Sequence, residues 1–333
     1  MTQTKVLVTG AGGFIGHHLV TYLRKSGYWV RGVDIKYPEF SETDADEFEI
    51  LDLRRWDNCL QATRGIDEVY ALAADMGGMG FISFNNAIIL RNNSLINLHT
   101  LEAARINEVK RYFYTSSACV YPEYLQLETE VTPLKEEDAY PAQPQDAYGW
   151  EKLITERLCL EYRRDFGMET RIVRFHNIFG PEGTWDGGRE KAPAALCRKV
   201  AIAKLTGQSE IEIWGDGEQT RSFCYIDDCL NGIYKLMQSD FQDPLNLGQD
   251  RLISINDLAD LIMEVAGVKL DKKHIEGPQG VRGRNSDNSL LKKVLGWAPE
   301  ISLEEGLKRT YSWIENQVMD SDYVRHEVIK HLV

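Results

Sequence analysis

Tyr148 and Lys152 stand four residues apart in Asp146-Ala147-Tyr148-Gly149-Trp150-Glu151-Lys152, at the head of a helical pattern that runs to about Phe166. That spacing puts both side chains on one helix face. A phenol has a pKa of about 10 and is a poor base near neutrality. An ammonium one turn away favours the phenolate and is expected to draw the phenol toward the working range. A solvated Tyr and Lys would show the same spacing. The pair therefore gains meaning only from the elements that position it.

Those elements begin at the N-terminus. Lys5–Thr9 is a short β-branched run, followed at once by Gly10-Ala11-Gly12-Gly13-Phe14-Ile15-Gly16 and a helical pattern. Gly10 suits a tight turn, Gly13 a close backbone approach to a pyrophosphate, and Gly16 close packing of helix on strand. The helix start at Phe14 and Ile15 faces the anion. A second strand ends at Asp34, about where a ribose 2′-hydroxyl is held, which favours NAD over NADP despite Lys36 nearby. Phe48–Leu53 reads as a third strand, placing Asp52 and Leu53 near the adenine. Further strands are expected at Val69–Ala74, Arg111–Ser116 and Thr170–Phe175, with a long helix from about Asn86 to Ile106 and a flexible, close-approach loop at Met76–Gly80. Strands alternating with helices imply an α/β fold, a Rossmann-type doubly wound parallel sheet. Gly10, Asp34, Gly77, Ser117 and His176-Asn177 all fall at carboxyl ends of strands, where ligands sit on such sheets.

The composition fits this reading. The 333 residues are 43% hydrophobic and 27% charged, as in ordinary soluble chains. A net charge of −13 argues against broad binding of nucleic acid or anionic membrane, so an anionic substrate needs a local basic pocket. No apolar run approaches the roughly 18 residues of a membrane span. The six cysteines show no metal-ligand spacing, and with no signal peptide evident a cytoplasmic protein with reduced thiols is expected.

After about residue 176 the regular alternation breaks. A helix is expected at Pro193–Thr206, a strand at Ile211–Trp214, a helix at Asp227–Met237, a last strand at Pro244–Gly248, and helices at 255–265 and 302–315. The expected division is an NAD-binding domain over 1–176, receiving also about 224–249, and a smaller mixed C-terminal substrate-binding domain over 177–223 and 250–320. The tail after Val318 reads as an amphipathic helix.

The glycine pattern, Ser117, Tyr148-x-x-x-Lys152, Arg221-Ser222-Phe223 and Leu295-Gly296-Trp297-Ala298-Pro299 together resemble the extended short-chain dehydrogenase/reductases, the sugar-nucleotide epimerase and dehydratase superfamily. Narrower stretches are Ala73–Phe81, Ser116–Pro122, Arg174-Phe175-His176-Asn177, Gly187–Ala195 and Val281–Asp287; these resemble the GDP-mannose 3,5-epimerase family within it. That resemblance implies NAD as a retained cofactor, a GDP-sugar substrate, and a transient ketone at sugar carbon 4. It implies Tyr148, Lys152 and Ser117 as the redox set and Cys119 with Lys191 as an acid/base pair. It implies further substrate contacts at Gly77, Asn177, Glu190, Lys199, Gln219, Arg221 and Arg284. A homodimer built on helices near 92–106 and 148–166 is the family-level expectation.

Taken singly, several of these residues read differently. A lone Cys after a strand is more often a small buried hydrophobe than a base. The other five cysteines are expected to fill cores. His176 reads equally as a proton relay or a hydrogen-bonded structural imidazole, and Arg282 with Arg284 as a diphosphate clamp. A 4,6-dehydratase, a decarboxylase or a 4-epimerase on the same fold is the alternative. A dehydratase is disfavoured because Ala118-Cys119 stands where such enzymes carry Asp-Glu. An idle NAD-binding scaffold has no use for Ser117, Tyr148 and Lys152 together.

Overall fold

The strands that carry the site are built from β-branched and aromatic runs that the sheet buries on both faces. A computed structural model describes residues 3–321. β1 (Lys5–Thr9), β2 (Trp29–Asp34), β3 (Glu47–Ile50), β4 (Glu68–Ala71), β5 (Arg111–Ser117) and β6 (Glu169–Phe175) join a late strand, Pro244–Leu247, in one seven-stranded parallel sheet. Val6 pairs with Val30 on one side and Glu68 on the other. Strand order therefore reverses across β1, and the ligand crevice of a doubly wound sheet opens there. Alternation decides the faces. Val6 and Val8 enter one core with Leu19 and Leu23, while Leu7 enters the other with Tyr112 and Leu101.

Helices α1 (Phe14–Lys25), α2 (Trp56–Thr63), α3 (Met79–Ile82), α4 (Asn86–Ile106), α5 (Ala147–Phe166) and α6 (Ala192–Thr206) precede α7 (Ile226–Gln238), which packs on α1. Glycine closes α5 and α6: Gly167 and Gly207 adopt φ of +67° and +72°, the left-handed cap that glycine takes without steric cost. The remaining strands are short: β7 (Ile178–Phe179), β8 (Glu210–Trp214), β9 (Thr220–Arg221), β10 (Cys224–Tyr225), then the late sheet strand as β11, β12 (Ile253–Ser254), β13 (Asp271–Ile275) and β14 (Gly283–Arg284). β12, β9 and β14 form a small sheet, and β13 pairs with β8. Helices α8 (Ile255–Ala266), α9 (Ser289–Leu295) and α10 (Leu303–Asp320) complete the chain, with α6, α8 and α10 in mutual contact.

Three expectations shift. β3 stops at Ile50 and β4 at Ala71, so Asp52 and Ala73-Ala74 lie in the loops beyond. Met76–Gly80 is not wholly irregular, since α3 starts at Met79. β13 has no apolar alternation to betray it; Asp271-Lys272-Lys273-His274 is half-exposed and held by register with β8. The tail expected to be helical after Val318 remains helical to Asp320, and the rest lies outside the described residues.

One buried polar network crosses the fold beneath the strand ends. Arg174 forks onto Glu156, with Nε–Oε1 at 2.9 Å and Nη2–Oε2 at 2.7 Å, and both side chains are nearly fully buried. Its remaining nitrogen donates to the Tyr121 hydroxyl and the Glu136 carbonyl. Bidentate geometry and filled hydrogen bonds offset the desolvation of both ions. Arg174→Met leaves the buried Glu156 carboxylate with the Ser116 hydroxyl but without its counter-charge and should cost about 3–5 kcal/mol in urea unfolding. Arg174→Met combined with Glu156→Leu should recover part of that loss.

Candidate active site

The glycine loop is fixed by what a side chain would strike. A Cβ at Gly16 would stand 2.0 Å from the Gly10 carbonyl, and one at Gly12 would stand 2.1 Å from the Lys36 carbonyl. Gly10 itself turns with φ +71°. Gly12, which motif spacing did not single out, is the tighter position against the neighbouring loop. Gly13 is the N-cap of α1 and offers no side-chain cap, so the amides of Phe14, Ile15 and Gly16 have no acceptor within the helix. The Gly12 amide donates to Asp34 Oδ2 at 2.9 Å, and the Ile35 amide donates to Oδ1 at 2.6 Å. Burial pushes the Asp34 carboxyl up, opposed by those amides. A carboxylate accepts about four hydrogen bonds, so capacity remains for a ribose. Asp52 forks with Arg54 at 2.7–3.1 Å, which lowers its carboxyl, and Leu53 beside it is buried. A latch closes the outer edge: His17 Nε2 meets Glu182 Oε2 at 2.9 Å, and the Ser41 hydroxyl donates to the same oxygen at 2.7 Å. An uncapped helix start, a cradle any Cβ would fill and a carboxylate at the second strand's end fit a dinucleotide.

Ser117 ends β5 and caps the turn that follows, accepting from the Cys119 amide at 3.2 Å. Cys119 is thereby set just beyond the carboxyl end of β5. Arg284 Nη1 donates to its sulfur at 3.2 Å, while Arg284 Nε is held by Gln126 Oε1 at 2.5 Å. Gln126 is fully buried and braced on the Tyr121 and Pro122 carbonyls; nothing in the sequence pattern marked it. Tyr148 lies among Ile82, Ile89, Met76 and Phe81, with Cys119 in the same cluster. Lys152 Nζ donates to the Thr115 carbonyl at 3.0 Å and lies 5.5 Å from the Tyr148 ring centre.

The expected lowering of the Tyr148 phenol is not met in this structure. Burial pushes it well above the ordinary phenol range, Cys119 and Glu151 add to the rise, and the Ser117 hydroxyl opposes it. Apolar packing outweighs an ammonium that is aimed at a carbonyl rather than the phenol. Lys152 is itself pushed down by burial. Lys191, the N-cap residue of α6, is half-buried; burial lowers its ammonium, and Cys119 is the strongest opposing influence. Arg221 is pushed down to about 9 by burial and then by Arg284, its cross-strand partner, with Cys119 opposing. Four separate cations and phenols thus sense one sulfur.

Asn177 adopts φ +42° and donates to the Ser222 carbonyl at 2.9 Å. Gln219 donates to the Trp214 carbonyl, leaving its buried Oε1 without a partner. Lys199 donates to the Glu212 carbonyl at 2.7 Å and lies over the Trp214 ring. Glu190 is occupied within its own loop, accepting from Arg198 and the Gly188 amide at 2.7 Å each. Gly77 sits against Phe81, and the Gly78 amide donates to the Arg189 carbonyl at 2.9 Å. Arg189 stacks on Phe81 at 3.7 Å and pairs with Asp75, fastening the 76–81 segment to the 188–190 loop. Arg282 does not join a clamp: it is tied bidentately to Asp216 at 2.7 Å on the surface, apart from Arg284 and its cross-strand partner Arg221. His176 is structural. Its Nε2 shares Asn246 Oδ1 with the Tyr121 hydroxyl, and burial holds the imidazole neutral, down to about 3.

Known proteins share this fold and, in part, this sequence. A profile of the NAD dependent epimerase/dehydratase family matches residues 6–248. The chain is 54% identical to the GDP-mannose 3,5-epimerase of Arabidopsis thaliana over 94% of its length and 83% of that protein. It is 28% identical to UDP-glucuronic acid decarboxylase 1 of Xenopus tropicalis, over 95% of this chain and 73% of that one. Among solved structures, a UDP-glucose 4-epimerase of Thermotoga maritima with UDP-glucose superposes with a TM-score of 0.83 at 26% identity, covering 95% of this chain and all of that one. A UDP-glucuronic acid 4-epimerase of Bacillus cereus, solved with UDP-glucuronic acid and NAD, gives 0.79 at 26% identity, over 94% of this chain and all of that one.

Gly16→Ala forces backbone apart at the cradle and should weaken NAD binding at least tenfold by calorimetric titration. His176 stays neutral when folded until about pH 3 and protonates near 6.5 when unfolded, so its contribution is full above 6.5 and is lost as pH falls toward 3. His176→Gln should therefore lose less melting temperature than the wild type between pH 7 and 5.

Proposed function

The chain belongs to the NAD dependent epimerase/dehydratase family, and from that premise we propose that it inverts carbons 3 and 5 of GDP-mannose. The product is GDP-L-galactose, with GDP-L-gulose from inversion at carbon 5 alone. The observation that carries this reading is the position of Cys119. Its sulfur lies 3.2 Å from Arg284 and acts on Tyr148, Lys152, Lys191 and Arg221 together. Simple inversion at carbon 4 needs Tyr148 and Lys152 but gives a thiol and a second lysine nothing to do. The kinship with GDP-mannose 3,5-epimerases over nearly the whole chain supports the same choice.

Gly10, Gly13, Phe14, Ile15, Gly16, Asp34, Asp52 and Leu53, with Tyr148 and Lys152, would hold NAD. When bound, NAD supplies reversible oxidation at sugar carbon 4. Tyr148 takes the proton of the 4-hydroxyl and later returns it, with Ser117 hydrogen-bonded at the same oxygen and Lys152 beneath. A ketone at carbon 4 acidifies the hydrogens on carbons 3 and 5. Cys119 and Lys191 approach from different segments, one after β5 and one at the head of α6. One removes a proton from one face and the other delivers one to the opposite face. Burial lowers the Lys191 ammonium toward a range where it exchanges protons readily. Arg221 spends three donors on carbonyls and keeps others for the diphosphate, beside Arg284. Gly77, Ser117, Asn177, Glu190, Lys199 and Gln219 complete the sugar-nucleotide site.

Residues 1–176 with about 224–249 form the NAD-binding domain in this reading, and 177–223 with 250–320 the substrate-binding domain. Ile88 and Leu98 on α4 and Trp150 and Ile154 on α5 are exposed apolar residues, which supports a homodimer built on those helices. All six cysteines are free, which suits a cytoplasmic location, and no helix among the described residues is long and apolar enough to cross a membrane.

Cys119→Ala and Lys191→Ala should each lower epimerisation by about 10²–10⁴-fold while NAD still binds. Both should still build up reduced nicotinamide on mixing with GDP-mannose, read by absorbance. Tyr148→Phe should not. Epimerisation by Cys119→Ala at the wild-type rate would remove the thiol from the chemistry.

A further inference from the structure

Helix α5 buries two opposite charges side by side. Glu151 is 1% exposed and Lys152 2%. Glu151 Oε1 accepts from Asn97 Nδ2 at 2.5 Å, from the Thr155 hydroxyl at 3.3 Å and from the Tyr114 hydroxyl at 3.4 Å. Its Oε2 is buried with no partner. The Lys152 ammonium donates to the Thr115 carbonyl and, among the described residues, forms no ion pair with a carboxylate. Tyr114 touches both charges: its hydroxyl faces Glu151, and its ring centre lies 5.1 Å from Lys152 Nζ. An isolated buried carboxylate and an isolated buried ammonium are each unfavourable. Across a fully buried aromatic ring their attraction is screened little, so each compensates the other at a distance.

We propose that Glu151, braced by Asn97, Tyr114 and Thr155, is the positioning counter-charge that holds Lys152 as an ammonium beneath Tyr148. This rests on the reading of Tyr148 and Lys152 as the redox pair. Lys152 faces Tyr114 from β5, Cys119 from the turn after it, and Tyr148, Glu151, Glu156 and Cys159 from its own helix. Glu156 is already forked by Arg174, which leaves Glu151 as the uncommitted carboxylate. Glu151 in turn faces Tyr114 from β5, Asn97 from α4, and Tyr148 and Lys152 on α5. Burial lowers Lys152, and Glu151 is the largest influence opposing it. Glu151 also adds to the rise of Tyr148, after burial and Cys119. Removing its charge therefore moves both groups the same way, to lower pH. A carboxylate that merely ties α4 to α5 would move neither.

The test uses the NAD-loaded enzyme. Glu151→Gln keeps size and the acceptor for Asn97. It should shift both limbs of the kcat–pH profile down by about one unit, a tenfold change in proton affinity, with little change in KM. The Lys152 ¹³Cε resonance, assigned by its loss in Lys152→Arg, should titrate at correspondingly lower pH, and Glu151→Asp should restore part of both. Limbs and resonance unmoved in Glu151→Gln would overturn the proposal even if stability falls. Should that variant not fold, Glu151→Asp decides: its limbs should move down relative to the wild type, and unmoved limbs refute the role. Tyr148→Phe separates the two levels. Full activity there removes the redox pair itself, whereas an inactive Tyr148→Phe with unmoved Glu151→Gln limbs removes only the counter-charge.

Discussion

One contact ties the turn after β5 to the small late sheet at the thiol itself: Arg284 Nη1 donating to the Cys119 sulfur at 3.2 Å. Cys119 belongs to the turn after β5, at the carboxyl edge of the parallel sheet, and Arg284 to β14 in the small late sheet. Neither end is free to drift. The Ser117 cap fixes the thiol from below, and Gln126, itself buried, fixes the guanidinium from the side. Lys152, Lys191 and Arg221 each sense the charge of that sulfur, so loss of the contact would loosen the arrangement on which the proposed proton exchange rests.

Burial is the second constraint, and it cuts against the simplest view of the Tyr–Lys pair. Packed against Ile82, Ile89 and Phe81, the phenol is pushed up by burial. Lysine one turn away does not by itself offset desolvation. A carboxylate on the next position, a serine hydroxyl and the thiol all enter the balance. Below them the Arg174–Glu156 fork and the Tyr121–Asn246–His176 chain fill the interior with hydrogen-bonded polar groups, His176 Nδ1 alone among these side-chain atoms lacking a partner.

Much of this was legible because it is periodic or punctuated. The glycine loop, the β-branched strands and the 21-residue α4 each carry local signals, and Asp34 follows from its place at a strand end. What was not legible depends on long-range partners. β13 is polar and exists only through β8. Arg282 and Arg284 look alike in sequence, yet Asp216 takes one and Cys119 the other. Gln126, Asn97 and Glu151 belong to no spacing rule; their roles come from burial and from the atoms opposite them. The Tyr148–Lys152 spacing was correct as geometry, and the apolar surroundings, invisible in the motif, reversed the expected electrostatics.

Solvent-hydrogen exchange into the substrate tests the central claim most directly. GDP-mannose incubated with the NAD-loaded enzyme in heavy water should acquire deuterium at carbons 3 and 5 and at no other ring carbon, as read by proton NMR, and Cys119→Ala should slow that incorporation by orders of magnitude. Deuterium absent from both carbons in the wild type, or arriving at wild-type rate in Cys119→Ala, would contradict the account.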